Sequence, residues 1–225
     1  VVWYGKPQVQ QPGTHTALIT NGVLVVPEPN ALQACDQYSG RQLWRKEIGS
    51  IGVSLAASPT HVYARVQHAM VKLDLMTGEE AGTYLTAFGK EHPWGWFAVS
   101  DDGGTIYGAA AGGLFASEME SGRGDVRWQL AGPEVDEKER IGGLIAMGGE
   151  RIYVLGGQAS PEQRLDAIRQ MRKWMKTQER SLGEEYESQV EKRDIRELIA
   201  IDAKNGKILY RRGVDVSNCG GAWLR

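Results

Sequence analysis

Leu32-Gln33-Ala34-Cys35-Asp36-Gln37-Tyr38-Ser39-Gly40-Arg41-Gln42-Leu43-Trp44 is the stretch on which the fold turns. It reads as an alternating apolar strand, an acid, three residues, a glycine and a second strand that carries a tryptophan. The same pattern recurs as Val71-Lys72-Leu73-Asp74-Leu75-Met76-Thr77-Gly78, as Leu114-Phe115-Ala116-Ser117-Glu118-Met119-Glu120-Ser121-Gly122, and as Leu198-Ile199-Ala200-Ile201-Asp202-Ala203-Lys204-Asn205-Gly206. The acid always stands four residues before the glycine. A glycine there supplies the positive φ of a tight hairpin, the Ser, Thr or Asn before it supplies turn hydrogen bonds, and the acid accepts backbone N–H groups across the turn. These acids therefore read as turn residues and not as catalysts.

The turn glycines are 38, 44 and 84 residues apart. The last interval becomes regular if a repeat of about 44 residues carries an insertion of about 40. Upstream of each copy lies a further hairpin. Ala17–Thr20 and Val23–Val26 flank Asn21-Gly22, a strong hairpin signal. His61–Ala64 is the matching strand of the second unit. Phe97–Ser100 and Thr105–Gly108 flank Asp101-Asp102-Gly103-Gly104, and Leu144–Met147 and Arg151–Val154 flank Gly148-Gly149-Glu150. Four strands per unit at a period near 40 predict an all-β chain of about four β-propeller blades, each a four-stranded antiparallel sheet, in a partial or open ring. The blades fall at about 16–48, 51–86, 96–131 and 143–212, and 219–225 reads as the start of another. A Tyr recurs at Tyr63, Tyr107 and Tyr153, a pattern of blade-to-blade packing.

An aromatic stands four residues after the turn glycine at Trp44 and Tyr210. Trp128 stands six after Gly122, and the second unit has Gly82 in the fourth place, so its contact is missing or remodelled. A bulky ring on the outer strand can fill the wedge between neighbouring blades. The sequence-defined repeat residues are thus Asp36, Gly40, Trp44, Asp74, Gly78, Glu118, Gly122, Trp128, Asp202, Gly206 and Tyr210.

Composition agrees with many short strands and turns. Of 225 residues 29 are Gly and 8 are Pro, charged residues make up 24% and the formal net charge is −2. That balance gives no general pull toward nucleic acid or anionic membrane. No apolar run has the ~18 residues of a membrane helix. Cys35 and Cys219 form neither a CxxC pair nor a haem-attachment motif, and His15, His61, His68 and His92 lack metal-ligand spacing.

Residues 160–197 break the β pattern. Leu165, Ile168, Met171 and Met175 fall at helical spacing, as do Leu182, Tyr186 and Val190, with a break at Ser181–Gly183. The first arm (161–180) has six Arg/Lys against three Asp/Glu, and the second (181–197) three against six. An antiparallel helical hairpin inserted in the fourth blade is the expected structure, with Trp174 as a candidate anchor for a protein partner. In His92-Pro93-Trp94-Gly95-Trp96, His92 and the loop tryptophans Trp94 and Trp96 form a candidate ligand or partner surface, but interblade packing is the stronger reading.

The stretch from Ala34 to Trp44 resembles the tryptophan-docking repeat of pyrroloquinoline-quinone (PQQ) propellers, whose blades read roughly Ala-x-Asp-x-x-Thr-Gly-x-x-x-Trp. The resemblance covers about 16–212 apart from the insertion. It implies a propeller of about eight blades, of which this chain would be a segment, and a periplasmic or otherwise extracytoplasmic location. Members include both quinoprotein dehydrogenases and binding scaffolds. The enzymes use a Cys-Cys pair and an Asp-x-Asp-x-Gly-Trp stretch beside the quinone and its Ca²⁺, and neither occurs here. Two function classes follow: a non-catalytic scaffold that binds protein or another macromolecule without a cofactor, or part of a PQQ- and Ca²⁺-dependent oxidoreductase whose active-site residues lie elsewhere.

Overall fold

The computed structural model describes residues 17–217 apart from 50, 87–88, 93, 111–112, 120–124, 131–144 and 178–192. Sixteen strands form four separate four-stranded sheets, each with its strands in chain order and all neighbours antiparallel. The first sheet is β1 (Leu18–Thr20), β2 (Val23–Pro27), β3 (Ala31–Asp36) and β4 (Gln42–Glu47). The second is β5 (Ile51–Ala57), β6 (His61–Val66), β7 (Ala69–Asp74) and β8 (Glu80–Tyr84). The third is β9 (Phe97–Val99), β10 (Thr105–Ala110), β11 (Gly113–Glu118) and β12 (Asp125–Leu130). The fourth is β13 (Ile145–Gly148), β14 (Arg151–Gln158), β15 (Ile195–Asp202) and β16 (Ile208–Asp215).

Local chemistry sets the hairpins. Asn21 and Gly22 both have positive φ, at 45° and 79°, as a two-residue loop of the primed type requires. Gly40, Gly78 and Gly206 have φ of 70°, 71° and 73°, and each donates its N–H to the carbonyl of the acid four residues earlier, Asp36, Asp74 or Asp202. Gly122 lies outside the described residues.

The first strands of successive sheets pack side by side, β1 on β5, β5 on β9 and β9 on β13. Alternation along each strand then gives every sheet two apolar faces, one toward the preceding sheet and one toward the following one. Three clusters fill the gaps. Val25, Ala34 and Trp44 meet Val62, Leu73 and Leu75 between the first and second sheets. Tyr63, Met70 and Tyr84 meet Ile106, Phe115 and Met119 between the second and third. Tyr107, Leu114 and Ala116 meet Ile152, Ile199 and Ile201 between the third and fourth. Tyr63 and Tyr107 thus lie at interfaces between sheets, and the Tyr63 hydroxyl donates to the Gly103 carbonyl of the next sheet at 3.3 Å.

The insertion contains one described helix, α1 (Pro161–Thr177). Ser160 and Gln163 cap it reciprocally: the Gln163 N–H donates to the Ser160 hydroxyl, and the Ser160 N–H to Gln163 Oε1. Pro161 stands at the first helical position, where its missing N–H costs nothing. Ala167 and Ile168 pack on Ile195 and Ala159. The carbonyl of Gln163 comes so near Gly213 that a Cβ there would meet it at 2.5 Å. The helical reading of 160–197 needs correction at its end, because β15 already begins at Ile195, which is fully buried under the helix. Of the expected second arm, 181–197, the part 181–192 lies outside the described residues, as do the further strand read at 219–225 and the side chain of Trp174.

Candidate functional site

The repeated acids build small, self-contained turns. Asp36 Oδ1 accepts from the Tyr38 N–H, the Ser39 N–H and the Ser39 hydroxyl at 3.1, 2.7 and 2.7 Å. Asp74 Oδ1 accepts from the Met76 N–H, the Thr77 N–H and the Thr77 hydroxyl at 2.9, 2.8 and 3.1 Å. Asp202 Oδ1 accepts from the N–H groups of Lys204 and Asn205. Glu118 instead pairs with Arg127 at 3.3 Å. Asp102, in the hairpin 101–104, accepts from the Ser100 hydroxyl and the Gly104 N–H.

The turns of the second, third and fourth sheets also each present one carbonyl to the preceding sheet. The residue after the acid donates its N–H to the first hairpin of its own sheet: Gln37 to Gly22, Leu75 to Thr60, Met119 to Gly104 and Ala203 to Glu150. In the joints this leaves its carbonyl available to an aromatic donor. Trp44 Nε1–H donates to the Leu75 carbonyl at 2.9 Å, and Trp128 Nε1–H donates to the Ala203 carbonyl at 2.9 Å. Each indole lies flat against the turn glycine of the next sheet. A Cβ on Gly78 would stand 2.7 Å from the Trp44 ring, and one on Gly206 would stand 2.7 Å from the Trp128 ring. Glycine is therefore required twice over at these positions, by φ and by space.

The second sheet makes the same joint with different residues. Gly82 pairs with Lys72 in the docking register, and the tyrosine two residues on occupies its space: a Cβ on Gly82 would meet Tyr84 Oη at 2.7 Å. The Tyr84 hydroxyl donates to the Met119 carbonyl at 3.1 Å, which is the carbonyl equivalent to those of Leu75 and Ala203. The joint is thus remodelled and not lost. A signal was present in the sequence, since Tyr84 shares the face of position 82 and follows Gly78 by six, as Trp128 follows Gly122.

At Trp94 the structure decides between the two readings of residues 92–96 in favour of packing. The residue is 1% exposed, donates Nε1–H to the Tyr84 carbonyl at 3.1 Å, and packs on Phe97 and Phe115. Gly108 makes room for it, because a Cβ there would overlap the indole. Arg65 Nη1 donates to the Trp94 carbonyl. Trp96 is half-buried against the cluster of the third and fourth sheets, and the His92 carbonyl accepts from the Thr86 hydroxyl. Tyr210 occupies the docking register on β16, opposite Ala200, but is 42% exposed.

An open cleft of about 410 Å³ lies between the third and fourth sheets, lined by Asp102, Tyr107, Arg127, Glu150 and Lys204 among others. Its charges are of both signs. Burial raises the pKa of Tyr107, whereas the Ser100 hydroxyl holds the Asp102 carboxyl below the ordinary carboxylate range. The Ser39 hydroxyl does the same for Asp36, and the Thr77 N–H for Asp74. Oδ1 of each of these carboxylates is aimed at its own turn, and among the described residues no three His, Cys, Asp or Glu side chains gather in a way that could hold a metal.

These shifts set a pH dependence. A carboxyl with a lowered folded pKa stabilises the fold above its unfolded value of about 3.9 and loses that contribution as pH falls through the folded value. Burial lowers the pKa of His61, so the urea midpoint should begin to decline below that residue's unfolded value of about 6.5, and the turn carboxylates should add a second, steeper fall below about pH 4. Asp74→Asn should flatten that acid limb; an unchanged limb would remove the turn carboxylates as its cause.

No protein-family model and no curated protein matches the sequence. Solved structures do resemble the four-sheet array. Hydrazine synthase of Kuenenia stuttgartiensis matches 95% of this chain and 52% of its own, at 11% identity and a TM-score of 0.58. A quinohemoprotein alcohol dehydrogenase from Comamonas testosteroni matches 91% and 35%, at 16% and 0.53. A chain of a mitotic checkpoint complex matches 84% and 49%, at 11% and 0.53.

The chain has a β-propeller fold. Its four sheets are blades, and it spans about half or less of the length of these neighbours. Identities this low speak to the fold alone. The blades run in one direction, with the outer strand of each of the first three docking on the turn that follows the acid in the next.

Proposed function

We propose that this chain is a non-catalytic segment of a PQQ-like propeller, a scaffold whose blade surfaces bind a protein partner outside the cytoplasm. One observation carries the reading: the side chains that chemistry would use are already engaged in the architecture. Asp36, Asp74 and Asp202 each turn Oδ1 onto N–H groups of their own turn, and Trp44, Trp94 and Trp128 each place Nε1–H on a backbone carbonyl. What the blades leave to solvent is their loops, the mixed-charge cleft between the third and fourth blades, and helix α1 with exposed Leu165. Such surfaces suit a polar macromolecular contact better than a buried small ligand. The periplasmic placement and the membership of a larger ring follow from the resemblance of the repeat.

Isothermal titration of the purified chain with PQQ and Ca²⁺ separates this reading from the oxidoreductase one. The expected result is no stoichiometric site. The quinone of such enzymes lies on the ring axis and is contacted by several blades, so four of them supply only part of its shell. A site of micromolar or better affinity would overturn the scaffold.

A further inference from the structure

The joints between blades differ where the first hairpins of neighbouring sheets meet. Between the first and second blades the hairpins are tied: the Thr20 hydroxyl donates to the Ser58 carbonyl at 3.4 Å and Asn21 Nδ2 to the Pro59 carbonyl at 3.2 Å. Between the second and third, the Tyr63 hydroxyl reaches the Gly103 carbonyl, and a Cβ on Gly103 would stand 3.0 Å from the Ser58 hydroxyl. Between the third and fourth, no hydrogen bond joins the two hairpins among the described residues. Loop length and side chains account for the difference. The third hairpin carries Asp101 to Gly104 between Ser100 and Thr105, whereas the fourth carries only Gly149 and Glu150 between the paired Gly148 and Arg151. Tyr107 holds the register place of Tyr63, yet its hydroxyl bonds back to the Thr105 side chain of its own strand. The cleft of about 410 Å³ is the space so left.

Floor and rim of this cleft differ in chemistry. Tyr107 and Ala203 are buried in its floor, with Met147 half-buried beside them. The rim carries four carboxylates. Asp102 and Asp202 commit Oδ1 to their own turns. Asp101 and Glu150 are exposed on opposite hairpins, and neither carboxylate has a hydrogen bond or ion pair among the described residues. Two cations also line the cleft. Arg127 is held by Glu118 at 3.3 Å and by the Thr105 hydroxyl at 3.2 Å, which leaves Lys204 against the four acids.

We propose that this cleft seats a lysine or arginine side chain presented by an extended segment of a partner protein, with its aliphatic stem on Tyr107 and Met147 and its charged head between Asp101 and Glu150. The inference rests on the scaffold reading and names the chemistry of the partner at one of its surfaces. A long basic side chain matches both parts of the cleft, because it buries an apolar stem while its head stays at the wet, acidic rim. The net negative charge of the rim selects a cation and steers its approach. The cleft is open to solvent, so a small amine would keep much of its hydration there, whereas a side chain carried on a backbone brings neighbouring residues to both hairpin tips.

The test titrates the full chain, labelled with carbon-13 at its methionine methyl groups, with the peptide acetyl-Gly-Ala-Arg-Ala-Gly-amide and follows the methyl resonances by NMR. Met147 reads the cleft and is assigned with Met147→Leu. Buried Met70 reports integrity, and Met76, 55% exposed, reports non-specific contact. The arginine peptide should shift Met147 saturably and leave Met70 and Met76 in place. The same peptide with citrulline for arginine, uncharged and of equal shape, should bind at least about fivefold more weakly, as should the arginine peptide to the double variant Asp101→Asn, Glu150→Gln. Both carboxylates are exposed, so the isosteric amides leave the fold intact, and the citrulline comparison needs no variant at all. Absence of a saturable Met147 shift, equal binding of the two peptides, an unaffected double variant or an equal shift at Met76 would each overturn the proposal. So would spermidine binding as tightly as the arginine peptide, which would make the cleft a site for small amines. A failed peptide titration leaves helix α1 and the loops as partner surfaces, whereas a PQQ site would remove the scaffold reading without touching the charge of this cleft, so the two fail separately.

Discussion

Trp44→Ala should destabilise the chain by about 3–5 kcal/mol, the range for removing a well-packed aromatic from a core. The indole is 8% exposed, spans the first and second blades, and donates to the Leu75 carbonyl. Truncation therefore leaves a cavity in one cluster and removes the donor from a carbonyl whose residue is fully buried. Gln42→Ala, two residues away on the exposed start of the same strand, controls for effects on strand propensity and should change little. Urea denaturation followed by circular dichroism gives both values. A loss below about 1 kcal/mol at Trp44 would mean that the blades are not held together by this contact.

Gly78→Ala attacks the same joint from the other side and should cost about 2–5 kcal/mol. Placing a Cβ on a residue with φ of 71° costs about 1–2 kcal/mol. Forcing the indole away from an atom 2.7 Å from it adds about 1–3 kcal/mol of overpacking. The two parts are separable. In a Trp44→Ala background the overpacking disappears and only the backbone strain remains, so the cost of Gly78→Ala should fall to about 1–2 kcal/mol. Equal costs in both backgrounds would show that ring and glycine are not coupled.

The resemblance to solved propellers that span about twice this length or more, with 95% of this chain aligned in one case, bears on the same joints. A propeller is a string of interfaces between neighbouring sheets.

How much of this was legible beforehand depends on the range of the forces involved. The turns were legible because their bonds span two to four residues: the Asp36 carboxylate to Tyr38 and Ser39, the Gly40 N–H to Asp36. Acid, hydroxyl and glycine at fixed spacing specify such a turn without help from the rest of the chain, and alternating apolar residues specify which strand faces are buried. Repetition then fixed four sheets. The start of helix α1 was also local, set by Ser160, Pro161 and Gln163.

The joints were legible in part. Trp44 stood out by its place in the repeat, but its partner carbonyl lies 31 residues on, and that of Trp128 lies 75 residues on. Tyr84 was missed because its register position belongs to Gly82, and only three-dimensional packing shows the tyrosine folding back over that glycine. At Trp94 the sequence leaves a loop surface open beside interblade packing, because its neighbours His92 and Gly95 suggest a loop. The loop does exist, yet the gap left by Gly108 across the sheet draws the indole into the core.

By itself, then, the sequence determined the four hairpin-built sheets and the residues at their turns, because short-range hydrogen bonding and strand alternation are encoded in adjacent residues. Only the tertiary structure decided which aromatics close the blade joints, that Trp94 is core, and that Tyr210 stands exposed in the docking register. Those outcomes depend on volumes and carbonyls that meet across tens of residues, where no local pattern can report whether the space opposite a side chain is filled.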